Sequence, residues 1–399
     1  MKPDLVPTRF HAFDGLRASM MLLGVVVHTA LSYSQIPSSR HWVFKDSQTS
    51  IVCDLLLTGS GLFRMPAFFV LAGFFAASTH RRRGPAGLVR DRMRRIGLPL
   101  VAGWVIAFPI TRAAFAWART PAGVGPVASI LLAIREGSLL DRPGPMHFWF
   151  LENLILYCTL AALTARLVRG MPSLAIRLDA AFRGALQSPL GPLAFAVATL
   201  PAFWISPGAA LETPSSFLPP ASSLLGDWGF FAFGWMLGRH PEQVQALARY
   251  PIRLLALALV CWPLTRTAGL LRRSGLDPVR LSFGPELAHT ASAAATSLVT
   301  WLLVCGVIGL ALCYLDRPIR GVRPLVAASY WIYLAHLPLV AWLAPFLADV
   351  PLPGVVKLVI VASTTILTLL VVHKLATRPG AIRIVAGTWG RDHPGPVHA

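Results

Sequence analysis

Residues 13–33 read FDGLRASMMLLGVVVHTALSY, an apolar run long enough to enter a bilayer that nevertheless carries Asp14, Arg17 and His28. As an α-helix, the run places Arg17 and His28 eleven residues apart. That is about 20° beyond three full turns, so both side chains share one face roughly 16 Å apart along the axis. Asp14, Met21 and Gly24 fall near the same stripe. Ionisable groups inside a membrane helix are expensive and mark a pathway or a site.

The rest of the chain has the same character. Of its 399 residues 55% are hydrophobic and only 13% charged, where soluble domains carry about a quarter charged. The class is an all-α, polytopic membrane helix bundle, treated as one domain over residues 1–399. Apolar runs of about 18 residues or more fall near 15–34, 59–79, 96–116, 147–168, 189–206, 222–238, 252–270, 290–314, 325–346 and 354–375. The expectation is therefore about ten transmembrane helices.

A formal charge of +19 invites a nucleic-acid reading. The basic residues instead cluster in short loops between apolar runs, and nucleic acid is rejected as a partner in favour of membrane lipid. With the N-terminus inside, the cytoplasmic segments hold Lys2 and Arg9, the run from Arg81 to Arg95, Arg166 to Arg183, Arg239 to Arg253, Arg317 to Arg323 and Lys374 to Arg391. The outer segments hold only Arg40, Lys45, Arg119, Arg135, Arg142, Arg272, Arg273 and Arg280. That asymmetry predicts cytoplasmic N and C termini, an even number of spans and a plasma (inner) membrane location. Arg17 and His28 interrupt the first apolar run and no small-residue cleavage site follows, so it reads as an uncleaved helix. The five cysteines lack metal or redox spacing, and no metal or prosthetic group is expected. Nothing specifies an oligomer.

Polar residues recur at membrane depth. The second run reads FRMPAFFVLAGFFAAS, with Arg64 near its outer end. The loop after it contains RDRMRRIGLP, with Arg92 and Arg95. The fourth opens PMHFWFLENLILYC, with His147, Trp149 and Glu152. The ninth reads ASYWIYLAHLP, where Tyr330, Tyr333 and His336, spaced by three, form a ridge on one side of the helix.

These residues resemble the acyltransferase 3 family of integral-membrane acyltransferases, and within it the type that modifies periplasmic glucans with succinyl groups. Arg17 and His28 fit its first-helix pattern of a basic residue, ten intervening positions and histidine. Arg92 and Arg95 fit its R-x-x-R pair. His147, Trp149 and Leu151 fit H-x-W-x-L, and Ser329, Tyr330, Tyr333 and His336 fit SYxxYLxH. Each is weak alone, but the four occur in order at the expected runs. In FFVLAGF, Ala72 stands where the family often has serine, which puts a hydroxyl role there in doubt.

The resemblance implies that acyl-CoA is the donor substrate, bound from the cytoplasm, and that its acetyl or succinyl group passes to a hydroxyl of an extracytoplasmic carbohydrate. A hydroxyl attacks a thioester well only as it loses its proton, work that suits an imidazole. His28 is then the candidate general base, or a transient acyl carrier. Arg92 and Arg95 would hold the CoA phosphates with Arg17 one step deeper, and Asp14 or Glu152 would orient a cation or a histidine. His147, Trp149, Tyr330, Tyr333 and His336 are candidates for binding the acceptor or polarising the carbonyl.

Plainer readings stand beside these. The basic run around Arg92 and Arg95 suits topology alone, Arg17 suits snorkelling, and His147 and Trp149 suit an interfacial aromatic belt. The two tyrosines pack well in bundles. Arg64 serves either topology or an anionic acyl group. The competing function is a transporter of an anionic or glycan-related solute, for which polar midplane residues and a basic mouth also serve. No paired inverted repeat supports it.

Overall fold

The computed structural model describes residues 10–37, 42–121, 123–141, 143–266, 285–316 and 323–377. Among them the chain is helical, with no strand. The helices are α1 (His11–Ala30), α2 (Ile51–Arg92), α3 (Leu98–Arg119), α4 (Pro126–Arg135), α5 (Trp149–Arg169), α6 (Pro172–Gln187), α7 (Gly191–Trp204), α8 (Ala221–Arg239), α9 (Pro251–Cys261), α10 (Pro285–Tyr314), α11 (Arg323–Phe346) and α12 (Gly354–Ala376).

A helix occupies each of the ten expected places, but length and composition give a smaller count. Among the described residues six stretches are long and apolar enough to cross a membrane: His11–Tyr33, Ile51–Arg119, Met146–Arg169, Glu286–Tyr314, Arg323–Phe346 and Gly354–Ala376. A seventh arises if Pro241–Ala248 and Pro251–Arg266, bent by 61°, form one span. Two expected spans merge into the 69-residue run Ile51–Arg119. The 14 residues of α7 reach about 21 Å, short of a hydrocarbon core of about 30 Å. Lys2, Arg9, Arg40, Arg142, Arg272, Arg273, Arg280, Arg317, Arg320, Arg378, Arg383 and Arg391 lie outside the described residues, and with them the charges nearest the two termini.

The bundle is assembled around α2. Its start is capped by the Ser50 hydroxyl, which accepts from the Val52 amide, and its middle crosses α8 backbone to backbone. A Cβ on Gly73 would run into the carbonyl oxygen of Phe231, and one on Gly234 into that of Val70. In lipid, where apolar surface alone does not drive helices together, such small-residue seams supply close van der Waals packing. Phe69, Tyr157, Phe230 and Phe231 fill the space around the seam and are fully buried.

At Gly84 α2 breaks, with φ 69° and ψ −179°, a left-handed conformation that glycine adopts without strain. Pro85 restarts the helix beyond it, and a π-helical turn at Met93–Gly97 leads into α3. The break and the turn bring Arg92 into the bundle, where it is buried.

The seam makes a direct prediction. Gly234→Leu forces α2 and α8 apart and destabilises the fold by about 2 kcal/mol or more, while Gly61→Ala, with open space around it, is nearly neutral. Thermal unfolding of detergent-solubilised variants measures both, and an unchanged Tm for Gly234→Leu would remove the seam from its central role.

Candidate active site

Two cavities lie end to end within the bundle and share Met21, Phe68 and Phe150 as lining. The first is almost wholly apolar. Its polar lining is Arg17 from α1, Arg92 from the end of α2 and Tyr330 from α11, and Ala72 contributes to its wall. The second contains His28, Arg64, His147, Trp149, Tyr333 and His336. The α1 stripe is therefore real: Arg17 faces one cavity and His28 the next.

The three histidines form a row. The rings of His28 and His336 are 5.2 Å apart between centroids, and those of His336 and His147 4.9 Å. One turn of α11 holds the row in place. His336 Nδ1 donates to the Tyr333 carbonyl at 2.7 Å, with the Ile332 carbonyl at 3.2 Å. His147 Nε2 donates to the Leu334 carbonyl at 3.3 Å. In return the Tyr333 hydroxyl donates to the His147 carbonyl at 2.6 Å. His147 itself comes inward on a 3-10 turn, Met146–Phe148, that begins at a residue with φ 54°.

Arg64 reaches the same cavity from α2. Its guanidinium lies against the α1 backbone at Gly24, 3.0 Å from where a Cβ would stand, and its Nε is buried without a partner. Among the described residues no Asp or Glu lines either cavity.

Not every expected site residue is there. Asp14 pairs with Arg17 at 3.5 Å, but lines neither cavity. Glu152 also lines neither, although Trp149, three residues earlier, does. Arg95 lines neither cavity, and its Nε donates to Asp91 Oδ1 at 3.0 Å. Asp91 collects Arg83 at 2.8 Å on the same oxygen and has Arg92 at 3.8 Å on the other, so it spaces the arginines that repel one another. Its signal in the sequence is a lone acid inside a basic run, four residues before Arg95.

The loop after α1, long enough in the sequence to fold over a site, forms a strap against the histidine row, but its anchors are not apparent from the sequence. Trp42 lies over His28 with centroids 6.3 Å apart and packs edge-on against Phe115. Its indole N–H donates to Ser32 Oγ at 3.0 Å. Asp46 anchors the strap: its amide donates to the Ser32 carbonyl, and its Oδ2 accepts from Lys357 Nζ at 2.7 Å. Both side chains of this ion pair are fully buried. Lys357 is legible as the one cation in the apolar run GVVKLVIVAS. Beyond it, burial pulls the Lys45 pKa below its ordinary value, while its Nζ donates to the carbonyls of Ser34 and Ile36. Among the described residues no group of three or more His, Cys, Asp or Glu side chains is placed to hold a metal ion.

Apolar helices around a buried row of imidazoles, with arginines in the adjoining cavity, describe a multi-pass membrane protein. The chain belongs to the acyltransferase 3 family, whose Acyltransferase domain matches residues 10–373. It is similar to the glucans biosynthesis protein C of Escherichia coli strain K12, with 27% identity over 162 residues, 40% of each chain. The proteins of that name from Escherichia coli strain SMS-3-5 and from O6:K15:H31 strain 536 match to the same extent. The similarity thus spans well under half the length of these relatives. No solved structure matches the chain.

The strap generates a stability prediction. Asp46→Asn leaves the Lys357 ammonium buried and uncompensated, at a cost of about 3–5 kcal/mol. The double variant Asp46→Leu with Lys357→Met recovers most of that. Thermal unfolding of the three proteins in detergent measures the difference, and a double variant no more stable than Asp46→Asn would show that uncompensated charge is not the cause.

Proposed function

We propose that the protein is an inner-membrane O-acyltransferase that moves a small acyl group from cytoplasmic acyl-CoA to a hydroxyl of an extracytoplasmic carbohydrate. The observation that carries this reading is the adjacency of the two cavities, which share Met21, Phe68 and Phe150, with arginines lining one and histidines the other. About ten spans with both termini cytoplasmic put the arginine end inside, and the whole chain is read as one acyltransferase unit. The similarity to proteins named for glucan biosynthesis supports the carbohydrate acceptor.

In this reading the CoA phosphates engage Arg92 and Arg17, with Arg95 at the rim. Planar, multidentate guanidinium groups suit phosphate oxygens. The pantetheine arm lies along the apolar cavity, and a helix separation of roughly 16 Å between Arg17 and His28 matches its reach. The thioester carbonyl then sits between His28 and Arg64. As the acceptor oxygen attacks, His28 takes its proton, the carbonyl oxygen becomes an oxyanion facing Arg64, and collapse expels the CoA thiolate, which recovers the proton from His28. The products are the ester and free CoA. Arg64 also serves a second purpose for a succinyl donor, whose terminal carboxylate needs a cation. His147, Trp149 and Tyr333 shape the acceptor side. Asp14 steadies Arg17, and Glu152 keeps no direct role.

The test uses purified protein in liposomes, given radiolabelled acetyl-CoA or succinyl-CoA and a glucan mixture. His28→Ala lowers label transfer by about 10²–10⁴-fold with CoA still bound. Arg64→Gln lowers transfer from succinyl-CoA more than from acetyl-CoA if the donor is dicarboxylic. Solute flux without any consumption of acyl-CoA would replace this reading with the transporter.

A further inference from the structure

Counting hydrogen-bond donors and acceptors in the histidine row assigns a role that residue types alone do not. A carbonyl oxygen only accepts, so a ring nitrogen bonded to one must carry the hydrogen. The carbonyl of Tyr333 therefore fixes the proton of neutral His336 on Nδ1, and the carbonyl of Leu334 fixes that of neutral His147 on Nε2. What remains is a lone pair on His336 Nε2 and another on His147 Nδ1. Both atoms are buried without a partner, a state that native interiors rarely leave uncompensated.

His147 cannot satisfy His336, because two lone pairs face each other across that contact. His28 is the remaining ring in the row, and it makes no hydrogen bond among the described residues; its Nδ1 is likewise buried and unpartnered. The rings of His28 and His336 are 5.2 Å apart between centroids, tilted by 43°, close enough for reorientation of the rings to bring Nδ1 and Nε2 to an N–H···N bond of about 2.9 Å. Hydrogen bonds of this kind are often open in an unliganded site and tighten when substrate binds.

We propose that His336 is the positioning residue for His28. Its locked Nε2 lone pair accepts the Nδ1–H of His28, which leaves the His28 Nε2 lone pair directed at the acceptor hydroxyl. This rests on the acyl-transfer reading above and adds to it a division of labour. When the acceptor O–H gives its proton to His28 Nε2, the new imidazolium keeps its Nδ1–H on His336, and the positive charge is shared across that bond. When the thiolate leaves, His28 Nε2 returns the proton to it, and both rings end as they began. The α11 backbone thus acts at a distance of two rings: Tyr333 carbonyl to His336, and His336 to His28. A tautomer error at a catalytic imidazole is costly; in the Ser-His-Asp triad of serine proteases it lowers kcat by about 10⁴-fold.

Two measurements test the assignment. Protein with nitrogen-15 histidine in nanodiscs reports tautomers by the shifts of the two ring nitrogens, with each ring assigned by its substitution. Wild type with a bound non-hydrolysable acyl-CoA analogue is expected to hold His28 with its hydrogen on Nδ1, whereas His336→Phe is expected to give a mixture. In liposomes, His336→Phe lowers kcat by about 10²-fold or more with the donor KM unchanged, and His336→Gln, whose amide oxygen can accept the same N–H, recovers at least about tenfold of it. A His28 ring with its hydrogen on Nε2 in liganded wild type overturns the assignment, as does a Gln variant no better than Phe. If His28→Ala also leaves acyl transfer unaffected, it is the acyl-transfer reading itself that falls, whatever the tautomers are.

Discussion

The contact on which the rest of the molecule depends is the crossing of α2 and α8 at Gly73 and Gly234. In a bilayer, two helices gain little from hiding apolar side chains from each other, so the depth of their approach sets the strength of their association. The close approach fixes α2, which contributes more of the cavity lining than any other helix. Arg64 lies nine residues before Gly73 and reaches the histidines. Phe68 forms part of the wall common to both cavities, and Ala72 lines the first. Beyond Gly84 the same element supplies Arg92. A shift of α2 by one side-chain width would therefore disturb both ends of the site at once.

Helical periodicity makes part of this site legible. The α1 stripe places Arg17 and His28 on one face, and the spacing of three on α11 places Tyr330, Tyr333 and His336 on another. Both faces line cavities. His147 is harder, because a residue at the start of a membrane helix reads as part of an aromatic belt. What turns it inward is a 3-10 turn beginning at a positive φ, and no periodic pattern encodes that. Glu152 illustrates the converse: the same local pattern that admits Trp149 does not say which of two neighbouring faces looks into the bundle.

The number of spans is hard to read for a related reason. A sequence window sees an apolar run, not the length of helix built from it or whether one run continues into the next, as Ile51–Arg119 does. The strap's anchorage is hidden because the pair joins residues 311 positions apart. Lys357 alone announces that some acid must meet it, since an unpaired ammonium inside an apolar bundle is too costly to keep. Which acid it meets is a property of the fold.

Charge balance ties the site to its chemistry. The Asp46–Lys357 pair is neutral as a unit, and Asp91 and Asp14 each offset arginines at the first cavity. Arg64 has no such counterpart, and its cavity contains three imidazoles and no acid. A buried guanidinium without an anion is stabilised when the bound molecule brings negative charge or develops it during reaction. The proposed addition of a hydroxyl to a thioester would do this, first on the carbonyl oxygen and then on the departing sulfur. In the proposed reaction the missing acid is then an advantage. A resident carboxylate beside Arg64 would neutralise the cation in the resting state and leave less of its field for the transition state, whereas an open cation keeps that interaction for the moment when charge appears.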